Sequence, residues 1–296
     1  MTKTQSMLAA LFCTFIWGTT FIAQDTGMDL IGPYVFNTTR FFVGFLALLP
    51  FYLLLERRNT ETVISKNKKR FVILSVIIGI NLFFASLFQQ VALLFTDVAN
   101  AAFFTIFYVP MVPIIVFFLF KKKIHWSVWP SVLLCVVGGY FLTNFYDAQI
   151  RLGDTLVILG ALFWSTHIIF IGMIIKIYNL PLTIGAIQTL LVALFSIMIG
   201  LIYEEFVIEN ILNEIDSILY AGILSGGLAF VLQIYAQRNI TPAPAAIIFS
   251  LEGVFATIAA WFLLSQILDF NNILGCFFIL SGVLISQLLP LMRKIN

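Results

Sequence analysis

The 296-residue chain is 61% hydrophobic and only 10% charged, with a mean hydropathy of +1.06. Soluble domains are about 25% charged, so this composition excludes an ordinary soluble protein and indicates an integral membrane protein. The formal net charge of +2 gives no reason to expect a nucleic-acid partner. Cys13, Cys135 and Cys276 each lie in an apolar run, so we interpret them as small hydrophobic residues and expect no metal site.

Ten apolar segments follow one another along the chain and predict an all-α membrane protein of ten transmembrane helices. A helix of about 20 residues crosses the roughly 30 Å hydrocarbon core of a bilayer. The first segment lacks a small-residue cleavage site, so it is interpreted as a membrane helix and not as a signal peptide. The predicted segments are 7–24, 33–55, 71–93, 98–120, 126–143, 155–175, 182–202, 217–237, 243–264 and 272–289.

The connections between these segments are strongly asymmetric in charge. Lys and Arg are retained on the cytoplasmic side of a membrane. If the N-terminus is cytoplasmic, every Lys and Arg lies on that side except Arg151, which is outside, and Arg40, which is within a helix. Adding or removing one helix would destroy this pattern. We therefore predict that both termini are cytoplasmic.

The second half of the chain repeats the first. A shift of 144 positions aligns Gln89 with Gln233 and Gly138 with Gly282, and a slightly larger shift aligns Trp17 with Trp164. The predicted repeats are residues 1–144 and 153–290, each with five helices. Because five is odd, the second copy enters the membrane from the opposite side, as in transporters built from inverted repeats.

Four stretches carry a resemblance to a known family. They are FIWGTTFIAQ in the first helix, GPYVFNTTRFFVG in the second, ANAAFFTIFYVPMVP in the fourth and APAAIIFSLEGVFATIAAWFLL in the ninth. Together they resemble the EamA family of the drug/metabolite transporter superfamily, over nearly the whole chain. The resemblance implies a bacterial cytoplasmic (inner) membrane carrier of small metabolites, often exported. It also implies a central cavity between the repeats, lined by the first, third, fourth, sixth, eighth and ninth helices.

Glu252, near the middle of the ninth segment, is the leading candidate for a functional residue. A charge at that depth costs at least about 2.5 kcal/mol, so it should face a partner, a cavity or water. Its counterpart in the first repeat is Tyr108. We consider a proton-coupling or substrate-ammonium site, and alternatively a structural ion pair with Arg40. Arg40 itself could instead bind a substrate carboxylate or phosphate, or bond to helix ends and extend toward the interface.

Other polar and aromatic residues within the segments are weaker candidates. Trp17 and Trp164 lie well inside their helices, which favours interhelical packing or cavity lining over an interfacial belt. The remaining side chains could bind a polar substrate or join helices through hydrogen bonds. Pro110 and Pro113 should kink the fourth helix. The weaker polar candidates are Asn81, Gln89, His167, Gln188 and Gln233.

These features favour a secondary active transporter of small organic metabolites, such as amino acids, that works by alternating access. Export is what the resemblance implies, and proton coupling at Glu252 is one of the alternatives given above. There is no Walker motif and no cofactor is expected. The alternatives are an intramembrane lipid-modifying enzyme, which needs a convergent catalytic set, and a non-transporting sensor or assembly protein, which usually needs a soluble domain. The expected partners are a small-molecule substrate and the lipid bilayer. A homodimer is compatible with the sequence, but a monomer is sufficient.

Overall fold

The computed structural model describes residues 2–65, 67–96, 98–142, 151–263 and 267–292. Within these ranges the protein is all-helical and contains no strand. The predicted repeat boundary at residue 144 and the predicted helix ends at residues 143 and 264 lie outside the described residues. The division into units 1–144 and 153–290 stays a prediction.

Ten helical units follow the ten predicted segments. Nine of them are long and apolar enough to cross a membrane within the described residues, and α5 is a shorter apolar helix. This confirms the predicted all-α fold with ten helices. The units are α1 (Lys3–Thr26), α2 (Pro33–Phe51), α3 (Lys68–Ala92), α4 (Val98–Thr105 and Tyr108–Phe118), α5 (Val128–Leu142), α6 (Leu152–Tyr178), α7 (Pro181–Tyr203), α8 (Ile215–Leu219, Tyr220–Ala229 and Phe230–Ala236), α9 (Pro242–Phe249 and Leu251–Leu263) and α10 (Phe270–Met292).

Two connections contain more helix than the sequence pattern indicated. After α2 the chain continues through a π-helical turn, Tyr52–Glu56, into a further helix, Arg57–Ser65. The α7–α8 connection contains the short helix Ile208–Asn213. Both segments are too polar to be recognised by the apolar runs used to predict membrane helices.

The lipid-facing surface explains the composition. Large hydrophobic side chains such as Phe12, Leu54 and Phe262 are exposed on the outside of the bundle. This outward apolar surface, with the nine membrane-length helices, shows a multi-pass membrane protein. We call the end that carries Lys121–Lys123 and Lys176 the basic end, and the end that carries the α1–α2 and α7–α8 connections the acidic end.

At the basic end, Glu56 joins α2 to the start of α7. Its Oε1 accepts a hydrogen bond from the backbone N–H of Leu182 (3.1 Å), and its Oε2 accepts from the backbone N–H and the hydroxyl of Thr183 (2.8 Å each). The first N–H groups of a helix have no partner within the helix. The carboxylate therefore caps α7 and matches the positive end of its dipole.

At the acidic end, Glu204 makes the same connection in the opposite direction. The backbone N–H groups of Tyr34 and Val35 donate to its Oε1 (3.1 Å) and Oε2 (2.7 Å), so the residue after α7 caps the start of α2. The two carboxylates are 148 positions apart, as are the two helix starts that they cap. Helices α2 and α7 are thus antiparallel neighbours, and at each end a glutamate that follows one helix caps the start of the other. This arrangement is expected of an inverted repeat.

A second pair of contacts follows the same symmetry. The side-chain amide of Gln90, at the end of α3, donates to the backbone carbonyl of Gln24 in α1 (2.9 Å). That of Gln237, which follows α8, donates to the backbone carbonyl of Ile168 in α6 (2.7 Å). Corresponding helices of the two halves are therefore joined by the same residue type, as the internal repeat predicts.

The close crossing of α1 and α9 depends on Gly18. A Cβ at this position would lie 2.6 Å from the backbone carbonyl oxygen of Glu252 and 2.6 Å from the Cβ of Phe255. No side chain fits there without a shift of the backbone. The missing side chain lets α9 approach α1 and holds Glu252 at the centre of the bundle.

Candidate functional site

A cavity of about 580 Å³ lies between the two repeats at the level of Glu252. Its wall is formed by α1, α2, α3, α4, α6, α8 and α9. The expected lining helices are all present, and α2 is an addition that contributes Arg40. Seven of the ten candidate residues line this cavity: Trp17, Arg40, Gln89, Tyr108, Trp164, Gln233 and Glu252.

The helix break in α4 lies immediately before Tyr108. The chain makes two tight turns, with the N–H of Ile106 bonded to the carbonyl of Phe103 and that of Phe107 to Phe104. Pro110 has no N–H for the carbonyl of Ile106, four residues earlier, and its ring would clash with that carbonyl in a regular helix. The helix is therefore interrupted one turn upstream of Pro110, whereas Pro113 lies within the continuous helix Tyr108–Phe118.

Helix α9 breaks at the corresponding place, at Ser250, two residues before Glu252. No proline causes this break. The Ser250 hydroxyl instead donates to the carbonyl of Ile247 (2.7 Å), and the N–H of Gly253 bonds to the carbonyl of Ser250 (3.2 Å), which replaces a regular helical turn. Helices interrupted at matching positions of two inverted repeats are typical of transporter binding sites.

Glu252 is 6% exposed, and its Oε1 has no hydrogen-bond partner among the described residues. Tyr108, the residue that corresponds to Glu252 in the first repeat, lines the same cavity and faces it. The Tyr108 hydroxyl also lacks a hydrogen bond of standard geometry. The two side chains are close enough to interact with each other, but Glu252 Oε1 has no hydrogen bond of standard geometry with a described residue, and a ligand or water would satisfy it.

Arg40 is 4% exposed and forms no ion pair with a described carboxylate, so the structure does not show the ion pair with Glu252 that we considered. Its Nε and Nη2 donate to Asn37 Oδ1 (3.1 and 2.9 Å). Its guanidinium also lies over the rings of Phe36 (5.5 Å) and Phe41 (4.9 Å). These contacts orient the cation but leave its charge without a counterion.

An aromatic cluster forms one wall of the cavity. The rings of Trp17 and Trp164, the two tryptophans paired by the repeat, have centroids 6.2 Å apart. Phe230 contacts both, at 5.3 Å from Trp17 and stacked at 6.1 Å from Trp164. The two tryptophans therefore pack between helices and line the cavity at the same time.

Polar atoms of this wall also lack partners. The Nε1–H donors of Trp17 and Trp164 and both amide atoms of Gln233 are buried without a hydrogen bond in the described structure. Buried polar side chains normally have a partner, so several unpaired ones around one cavity indicate a ligand site. With Arg40 and Glu252, the site offers donors, acceptors and both signs of charge.

Three candidates lie away from the cavity lining. His167 and Gln188 bond to each other (Nε2 to Oε1, 3.0 Å), with the His167 ring edge-on to Trp164. Asn81 Oδ1 accepts a hydrogen bond from Thr166, which joins α3 to α6. These side chains hold helices together behind the wall. Among the described residues, no group of His, Cys, Asp and Glu is arranged to hold a metal ion.

Several lining residues were not singled out from the sequence. Phe230, Phe41 and Phe21 stand in apolar runs where nothing distinguishes a cavity-facing phenylalanine from a lipid-facing one. Ser225 and Thr105 are small polar residues that pack as easily between helices. The additional lining residues are Phe21, Gln24, Phe41, Ser86, Thr105, Ile168, Ala221, Ser225, Gly226 and Phe230.

The chain was compared with known families. The model of the EamA-like transporter family matches it twice, over residues 4–144 and 151–288. Each match therefore covers one of the two halves inferred from the internal repeat, and together they span nearly the whole chain.

The relatives are transporters by name. A protein called "Uncharacterized transporter" from Archaeoglobus fulgidus is 30% identical over 95% of this chain and 85% of its own length. The Bacillus subtilis protein "Uncharacterized transporter YoaV" is 23% identical over 98% of this chain and 99% of its own. A solved structure described as "Crystal structure of protein" superposes over 100% of both chains with a TM-score of 0.80 at 15% identity, which shows the same fold.

Proposed function

The chain belongs to the EamA-like transporter family, and from this premise we propose that this membrane transporter is a secondary active exporter of small zwitterionic metabolites such as amino acids. One observation carries the proposal. Arg40 and Glu252 line the same buried cavity, and no ion pair joins them among the described residues.

Opposite charges buried without counterions point to a ligand that carries both complementary charges. A buried charge is costly unless it is paired, so each of these groups gains from a counterion. A carboxylate fits the guanidinium of Arg40, and an ammonium group fits Glu252. An ion pair between the two residues would satisfy them without a ligand, and its absence leaves both free to bind.

The rest of the cavity suits the apolar part of such a molecule. Trp17, Trp164 and Phe230 offer flat apolar faces, and two indole donors are available for hydrogen bonds. The substrate is therefore proposed to carry an aliphatic or aromatic side group.

Glu252 also supplies a means of coupling. A proton and a substrate ammonium group would compete for the same carboxylate, since either one neutralises it. If substrate leaves on one side of the membrane and a proton takes its place, the proton gradient drives export. Alternating access between the two inverted repeats is the proposed motion.

Orientation and assembly follow from the sequence and the cavity. On the positive-inside rule, the basic end and both termini are proposed to lie in the cytoplasm. The family resemblance supports the inner membrane of a bacterial cell as the proposed location. One chain supplies every described lining residue, so a monomer in the bilayer is proposed to be sufficient. No observation on the described residues favours the lipid-modifying enzyme or the sensor.

A matched ligand series tests the proposal. The thermal unfolding of the purified protein is measured with an amino acid, with the amine that lacks its carboxylate and with the acid that lacks its ammonium group, for several side groups. We expect the zwitterion to stabilise the protein most, and Arg40→Gln to remove its advantage over the amine. Equal shifts for all three ligands of every series, or no shift from any, would rule out a zwitterion site.

A further inference from the structure

A second cavity, of about 1,100 Å³, opens at the basic end of the bundle. It lies between the end of α4, the start of α5, the end of α6 and the start of α9. It shares no lining residue with the central cavity. Nothing in the proposed transport chemistry uses it.

The rim of this cavity is cationic. Lys122 and Lys123 reach it from the α4–α5 connection and Lys176 from the last turn of α6. No carboxylate is among its described lining residues. Helix α9 also begins here at Pro242, with no side chain capping its first N–H groups, so its dipole adds positive potential.

The interior of the same cavity is apolar. Besides the lysines, the wall consists mainly of apolar side chains, including Val116 of α4, Phe120 just after it, and Ile169 and Met173 of α6. A positive rim above an apolar interior matches an amphiphile with an anionic head. A fully soluble anion would leave the apolar part unfilled.

The symmetry-related cavity at the acidic end provides an internal comparison. Its lining includes Ile22 and Ala260, the repeat counterparts of Ile169 and Val116. Its described lining contains Asp25 and no Lys or Arg. The positive-inside rule explains why lysines occur at one end. It does not explain why lysines from two distant segments converge on one cavity.

We propose that the cavity at the basic end binds an anionic phospholipid of the cytoplasmic leaflet. Its phosphate would lie among Lys122, Lys123 and Lys176, and its acyl chains against the apolar interior. Basic pockets between transmembrane helices on the cytoplasmic side are suited to anionic head groups. The site is independent of the central cavity and of the substrate proposed for it.

The test compares lipids and matched variants of the full-length protein in neutral detergent. The unfolding temperature is measured with added dioleoyl phosphatidylglycerol, with dioleoyl phosphatidylcholine and with inorganic phosphate. Native mass spectrometry counts the lipids retained. The site variant is Lys122→Gln/Lys123→Gln/Lys176→Gln. The control, Lys3→Gln/Lys68→Gln/Lys69→Gln, removes the same charge from the same end outside the cavity.

Phosphatidylglycerol should raise the unfolding temperature of the wild-type and control proteins by about 5 °C at saturation, and should have little effect on the site variant. If the triple variant does not fold, Lys176→Gln alone, which leaves the α4–α5 lysines in place, should show a reduced shift and fewer retained lipids. An equal shift in unfolding temperature in the site and control variants would mean that the lipid is attracted by the general positive charge of this end, and would overturn the proposal. A full shift with inorganic phosphate would assign the cavity to a soluble anion instead.

Discussion

Glu56 and Glu204 differ from Glu252 in the number of backbone N–H groups that donate to the carboxylate. The first two accept hydrogen bonds from backbone N–H groups at the start of a partner helix. Glu252 is as deeply buried as Glu56, yet its Oε1 has no partner in the described structure. The comparison teaches that burial alone does not identify a functional carboxylate. The unsatisfied carboxylate is the candidate, and the satisfied ones are structural.

The largest expected effect is on transport, from Glu252→Gln. The glutamine keeps the shape of the side chain but cannot exchange a proton or pair with an ammonium group. Proton-driven flux in proteoliposomes should be abolished, while insertion and thermal stability are retained. Glu209→Gln, at an exposed position of the short helix Ile208–Asn213, is the matched control and should transport normally. Unchanged pH-dependent flux in Glu252→Gln would remove the coupling role.

The largest expected effect on stability comes from Glu56→Ala. Three donors, two of them backbone N–H groups at the start of α7, would lose a charged acceptor, which should lower the free energy of unfolding by about 3 kcal/mol. Unfolding in mixed micelles measures the loss. Glu61→Ala, on the exposed side of the helix Arg57–Ser65, should change it by less than about 0.5 kcal/mol. Similar losses of unfolding free energy in both variants would show that the hydrogen bonds of Glu56 to the start of α7 do not stabilise the protein.

Glu204→Ala should have a smaller effect of the same kind. This carboxylate has two donors rather than three and is partly exposed, so water can replace some of its bonding. A loss of about 1–2 kcal/mol is expected from the same measurement. Glu205→Ala, at the neighbouring exposed position, serves as the control. A loss larger than that of Glu56→Ala would contradict the ranking by number of bonds.

The sequence predicted the helices better than it predicted the side of each helix that faces the cavity. Ten apolar runs and the charges of their connections predict the membrane crossings. A carboxylate within an apolar run, such as Glu252, is easily recognised as a candidate functional residue. The rotation of a helix is harder to infer, because lipid and protein interior are both apolar and the usual amphipathic signal is missing. Gln188 and Gln233 look alike in sequence, yet only Gln233 lines the cavity.

The capping glutamates were also missed, although the sequence contained a signal for them. Both were assigned to connections outside the membrane helices. Glu56 and Glu204 follow Pro33 and Pro181 at the same spacing, and proline at the first position of a helix marks an uncapped start. A repeat search that included the polar connections would have paired them.

The π-helical stretch Tyr220–Ala229 of α8 provides a way to change which side chains line the cavity. Its backbone bonds run from residue i to residue i+5, and Ser225 and Gly226 form part of the cavity wall. A change of one turn to the α register would rotate the preceding residues by about 100° around the helix axis while every carbonyl kept a donor. Tyr220, whose hydroxyl bonds to Thr19 (2.6 Å), would then leave α1. Such a change of register would replace one set of wall side chains with another while the helix stayed folded.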